Sequence, residues 1–82
     1  MAIKTPLVTD QPEIGKLIRE LRIEIGLTQE EFGAALGFTY PTISRWENGW
    51  AKPSPLAIKK IEKQLRQIGE RRKDLLEQYL KE

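Results

Sequence analysis

The 82-residue sequence predicts an all-α fold, a compact bundle of four to five short helices. Three observations carry that reading: apolar residues recur three and four apart, helix start and stop residues punctuate the chain, and no segment alternates with a strand period. The length suits one domain with a modest core.

Residues 1–9 contain Pro6, lack a helical period and read as a flexible N-terminal arm. Asp10 and Gln11 precede Pro12, and proline at the first helical position behind a capping residue starts helix one. Ile14, Leu17, Ile18, Leu21 and Ile25 line one face of it, and Gly26 ends it. Thr28 and Glu31 have capping-box spacing, so Gln29 to Leu36 form helix two, closed by Gly37. Thr39 caps helix three, from Tyr40 to about Asn48, with Pro41 in its first turn where the missing amide is harmless. Gly49 terminates it. After the connector "AKPSP", Ser54 caps and Pro55 begins helix four, with Leu56, Ile58, Ile61, Leu65 and Ile68 on its apolar side. The spacing favours continuation of that helix through Gly69; the alternative is a separate last helix from Leu75, capped by Asp74 with Glu77.

Cysteine and histidine are both absent, which removes zinc fingers, disulfide frameworks, thiol catalysis and imidazole chemistry. No metal site, cofactor or enzyme activity is expected, since Ser44 and Ser54 have no evident base and no phosphate-cradling loop is present. No apolar run approaches a membrane span, and the start lacks a signal-peptide core, so a soluble cytoplasmic protein is expected. The net charge of +2 is too small to name a partner.

The stretch "QEEFGAALGFTYPTISRWENG" is more informative, because its glycines interrupt a run of helix formers at a cost of about 1 kcal/mol each. Two short helices joined by a three-residue link and crossing at about 90–120° would require them. Gly33 would give helix three room against helix two, with Gly33→Leu expected to disrupt DNA binding and Gly33→Ala expected to be much milder. Gly37 would take the left-handed conformation of the turn, and Phe32, Leu36, Phe38, Ile43 and Trp46 would fill a shared core.

Together with "LTQEEFGAALGF", "TISRWENG" and "KPSP", this pattern resembles the helix-turn-helix repressors of the phage Cro and repressor type, including the Xre-like bacterial regulators. The resemblance spans about Ile14 to Leu65. It implies a lambda-repressor-like domain over residues 10–68, whose third helix enters the major groove of double-stranded DNA while the second crosses the backbone and dimers read paired half-sites. On that implication Thr39, Tyr40, Pro41, Ser44 and Arg45 read bases, Arg45 having the fork that suits guanine. Gln29, Thr42, Asn48 and Lys52 contact phosphates. Arg22 and Glu47 match an ion pair common in the family, tying the first helix to the third. Trp50 is expected to cover the core edge in preference to lying against DNA sugars.

Residues 69–82 form a helical C-terminal tail. Between Lys59 and Lys73, seven basic residues face only Glu62 and Glu70, an excess of five read as a solvated face. Ile58, Ile61, Leu65, Ile68, Arg72, Leu75 and Tyr79 alternate three and four apart, and Leu76 and Leu80 broaden the stripe. Leu75, Leu76, Tyr79 and Leu80 are therefore the candidate dimerisation residues. The expected function is a homodimeric repressor. The alternative is an antitoxin-like protein that binds a toxin or other partner through the tail and autoregulates its promoter.

Overall fold

In the computed structural model, which describes residues 10–69, four helices run in the order α1 (Glu13–Ile25), α2 (Gln29–Leu36), α3 (Tyr40–Glu47) and α4 (Pro55–Ile68), and the described residues contain no strand. The arm at 1–9, the tail stripe with Leu75, Leu76, Tyr79 and Leu80, and the course of the chain past Gly69 lie outside the described residues.

Local chemistry sets the ends of α1 and α2 and the starts of α2 and α4. Gly26 and Gly37 adopt left-handed φ values of 88° and 87°, and their amides bond back to carbonyls of the last turn. The Thr28 and Glu31 capping box forms with both reciprocal bonds, at 3.1 and 2.9 Å. The Ser54 hydroxyl accepts from the Ala57 amide, with Pro55 opening α4.

Two starts depart from expectation. Pro12 is not the first residue of α1 but stands at its N-cap without a side-chain cap bond; the Gln11 side chain instead accepts from the Gly15 amide at 3.2 Å. Thr39 occupies the N-cap of α3, yet its hydroxyl pairs with the Thr42 hydroxyl at 3.1 Å rather than with a backbone amide.

The core joins all four helices: Ile14, Leu17, Ile18 and Leu21 from α1, Phe32 and Leu36 from α2, Ile43 and Trp46 from α3, and Ala57, Ile61, Leu65 and Ile68 from α4. Phe38, in the link between α2 and α3, packs partly buried with its ring edge-on to Trp46, centroids 5.1 Å apart. Leu56 was expected inside and is 60% exposed. Ala57 takes the inward place, because 57, 61, 65 and 68 share one helix face and 56 lies more than a quarter of a turn away from it. Trp50 was expected at the core edge and is 75% exposed. Gly49 turns the chain at φ 79°, and Ala51 and Pro53 fill the edge instead.

Gly33 marks the closest approach between α2 and the turn. A methyl group there would sit 2.6 Å from the Phe38 carbonyl oxygen and 3.3 Å from Ile43 Cγ1. The obstacle is therefore first the backbone of the link and only second the side chain of α3. Because backbone cannot swing aside as a side chain does, even a single methyl group at position 33 meets resistance. Gly33→Ala should lower the urea-denaturation midpoint, with overpacking of about 1–3 kcal/mol exceeding the gain in helix propensity. An unchanged or higher midpoint would contradict the close approach.

Candidate nucleic-acid interface

The three-residue link Gly37–Thr39 sets α3 across α2, and α3 also packs on α1. Ile43 and Trp46 take the inward face, so Pro41 and Arg45, four residues apart, share the line pointing away from the core. Thr39, Tyr40, Pro41 and Arg45 are exposed, and Thr42 and Ser44 flank them half-buried. The five residues that the sequence reading put forward for base contact thus occupy one end and one outer strip of a single short helix.

The far end of that helix is anchored by Glu47, whose side chain is fully buried. Arg22 Nε donates to Oε2 at 2.7 Å and its terminal nitrogen to Oε1 at 3.1 Å, a two-pronged pair that adds direction to charge. A further Arg22 nitrogen donates to the Leu27 carbonyl at 3.0 Å, so the guanidinium also fixes the link between α1 and α2. Gln29 Nε2 reaches Glu47 Oε1 at 3.1 Å, and the half-exposed Arg19 stands more loosely at 3.4 Å. One carboxylate therefore binds α1, α2 and α3 together.

The candidate phosphate residues are less free than their sequence positions suggest. Gln29 spends one amide hydrogen on Glu47, and together with Arg22, Thr28, Glu30 and Tyr40 it lines a shallow groove where the start of α2 meets the start of α3. Asn48 turns its amide back onto Ser44, at 2.8 Å to the carbonyl and 3.2 Å to the hydroxyl. Lys52 Nζ stands 3.5 Å from Asp10 Oδ1, an exposed and weak pair. Among the described residues no group of side chains could hold a metal ion, and no helix is long and apolar enough to cross a membrane.

Three contributors escaped the sequence reading. Gln11 Nε2 donates to the carbonyls of Trp46 at 3.0 Å and Ala51 at 2.6 Å. Gly15 lies against the end of α3, where an added methyl would meet the Trp46 oxygen at 2.5 Å and the Glu47 oxygen at 3.2 Å. A glycine inside a predicted helix was the available signal for this one. Lys60, read as part of a solvated basic face, donates to the Leu36 carbonyl at 3.0 Å and sits 5.7 Å from the Phe38 ring centre, closing the C-terminal end of α2.

Two short crossed helices, joined by a left-handed glycine turn and braced by a third and a fourth, constitute a helix-turn-helix unit, the kind of module that carries a DNA-binding regulatory role. The family model described as Helix-turn-helix matches residues 18–70, and the chain belongs to that family. Over 52 residues the chain is also 42% identical to the Type II methyltransferase M1.ScrFI of Lactococcus lactis subsp. cremoris, a match covering 60% of this chain and 13% of that protein. The likeness is therefore to a small part of a much longer protein.

Burial of the Glu47 carboxylate pushes its pKa up, but hydrogen bonds from Arg22 and Gln29, the Arg22 charge and the Arg19 bond outweigh this and hold it below the ordinary value of 4.5. A folded pKa below the unfolded one means that the unfolded chain binds the proton more readily. The stabilisation is then complete above the unfolded value and is lost as pH falls through the folded one. Between about pH 6 and pH 3 the urea-denaturation midpoint should fall more steeply for the parent than for Glu47→Gln, which has no proton to take up at this site. Parallel curves would remove Glu47 from the acid response.

Proposed function

We propose that the chain is a sequence-specific double-stranded DNA-binding transcriptional regulator of the Cro and repressor type, Xre-like, with residues 10–68 as its DNA-binding domain and α3 reading the major groove. The observation that carries the reading is α3 itself, which presents Pro41 and Arg45 on its outer line and Thr39 and Tyr40 at its leading end while its other end is held by the Glu47 network. A helix meant to read base edges needs this combination. Exposed readers supply recognition, and a fixed helix axis keeps them in register with the groove.

Arg45 is the principal reader in this proposal, since its guanidinium can donate to both O6 and N7 of a guanine. Tyr40 and Pro41 offer apolar contact to thymine methyl groups, and Thr39 and Ser44 offer hydroxyls. Gln29, at the start of α2, uses its second amide hydrogen and the helix dipole on a phosphate, and Thr42 offers its hydroxyl to another. Lys52 exchanges Asp10 for a phosphate, and Asn48 contributes only by giving up Ser44. In this reading the protein acts as a homodimeric repressor whose copies pair through Leu75, Leu76, Tyr79 and Leu80.

Selection of bound duplexes from random DNA tests the reading as a whole. It should return a defined sequence carrying two inverted half-sites about one helical turn apart; recovery without any preferred sequence would defeat the proposal, and a single unrepeated site would defeat its dimeric part. On the selected site, Arg45→Ala should lose about tenfold or more in affinity while binding to random duplex changes little. Equal losses on both duplexes would reject Arg45 as a base reader.

A further inference from the structure

We propose that Gln11 is a positioning residue for the DNA-reading helix, a clasp that sets the tilt of α3 from the start of α1; the inference rests on the DNA-binding reading above. The Gln11 amide has three partners and all of them are backbone atoms: Oε1 accepts from Gly15, while Nε2 donates to the carbonyls of Trp46 and Ala51. What it holds is therefore the course of the main chain, independently of the side chains that α3 displays.

The two accepting carbonyls bracket the turn that follows α3. The Trp46 carbonyl belongs to the last turn of the helix, where carbonyls lack partners inside the helix, and Ala51 lies just past the left-handed Gly49. Within the turn, the Gly49 amide bonds to the same Trp46 oxygen at 3.2 Å and the Trp50 amide to the Arg45 carbonyl at 2.9 Å. Gly15 brings the backbone of α1 directly beneath this end of α3, leaving no space for a methyl group against the Trp46 oxygen. Asp10 adds an outer tie to Lys52. Residues 10, 11 and 15 thus all meet the segment 46–52.

The leverage follows from the length of α3. Eight residues span about 12 Å, so a tilt of about 10° at the clasped end displaces the Thr39 end by about 2 Å, far outside hydrogen-bond tolerance. Glu47 restrains the helix from the side of Arg22 and Gln29, and Gln11 restrains it from the side of Gly15. The role demands one acceptor and two donors on a side chain of this reach. Asparagine is one methylene too short, and glutamate lacks the donors.

Gln11→Glu is the discriminating variant, because it keeps the oxygen that caps the Gly15 amide and places an anion favourably at the start of α1, yet turns an acceptor toward the Trp46 and Ala51 carbonyls. Helix α1 should stay formed while the clasp opens. Gln11→Met serves as the second variant, of similar size and without the added negative charge that would weaken binding to any DNA. Affinities of the parent and both variants are measured at one salt concentration, on the duplex selected by the parent and on random duplex, with melting followed by circular dichroism. Both variants should lose about tenfold on the selected duplex, and Gln11→Met should stay within about twofold on random duplex. Amide resonances of Trp46 to Lys52 should shift in the free protein. A Gln11→Met protein with unaltered affinity, or with equal losses on both duplexes, would overturn the clasp while leaving the DNA reading intact. A parent without any preferred duplex would overturn the DNA reading and the clasp together.

Discussion

One buried carboxylate, that of Glu47, governs how α3 is held against α1 and α2. Burying Glu47 is costly in isolation, and the pair it makes with Arg22 need not stabilise the fold relative to apolar packing. Its consequence is directional. Arg22 comes from α1, Gln29 from α2 and Glu47 from α3, so no one of these helices can rotate without breaking a charge-assisted bond in a poorly solvated place. Apolar packing tolerates small slides; a two-pronged guanidinium bond tolerates few. The Arg22 bond to the Leu27 carbonyl extends the same constraint into the link between the first two helices.

Around that point the fold relies on unusually close backbone contact. Gly33 admits the Phe38 carbonyl at the leading side of α3, and Gly15 admits the Trp46 and Glu47 carbonyls at its trailing side. An eight-residue helix has little surface with which to fix its own orientation. Contact of main chain with main chain at both ends compensates, since neither partner has rotamers through which to escape. The polar ties then decide among the few orientations that such contact allows. Among the described residues, twelve buried apolar side chains supply cohesion, and the glycines and amides supply geometry.

The distribution of what was legible in the sequence follows the range of the interactions concerned. Helix limits at Gly26, Thr28, Gly37, Ser54 and Pro55 were readable because caps act within four residues, and the inward faces were readable because burial repeats every three or four. Leu56 and Trp50 misled because apolar character does not say which of two neighbours wins a limited inner surface; Ala57, Ala51 and Pro53 won it. Gln11 was unreadable for a different reason. Two of its three partners lie 35 and 40 residues away and are carbonyl oxygens, which every residue type carries, so no pattern of side chains announces them. Among the interface residues the exposed strip of α3 followed from spacing once Ile43 and Trp46 were assigned inward. The prior engagement of Gln29 did not, since it depends on three-dimensional proximity to Glu47, and that of Asn48 did not, since it depends on its amide folding back one helical turn onto Ser44.

The two tryptophans, four positions apart, end up in opposite surroundings: Trp46 is enclosed against Phe38, and Trp50 stands out in water beyond the Gly49 turn. The protein consequently carries two intrinsic optical probes of different meaning. The enclosed indole emits at shorter wavelength and responds to loosening of the interior, whereas the outer one emits at longer wavelength, is reached by aqueous quenchers, and responds to whatever comes to lie beside the trailing end of α3. A spectrum of the unlabelled chain therefore separates loss of the interior from events at the surface.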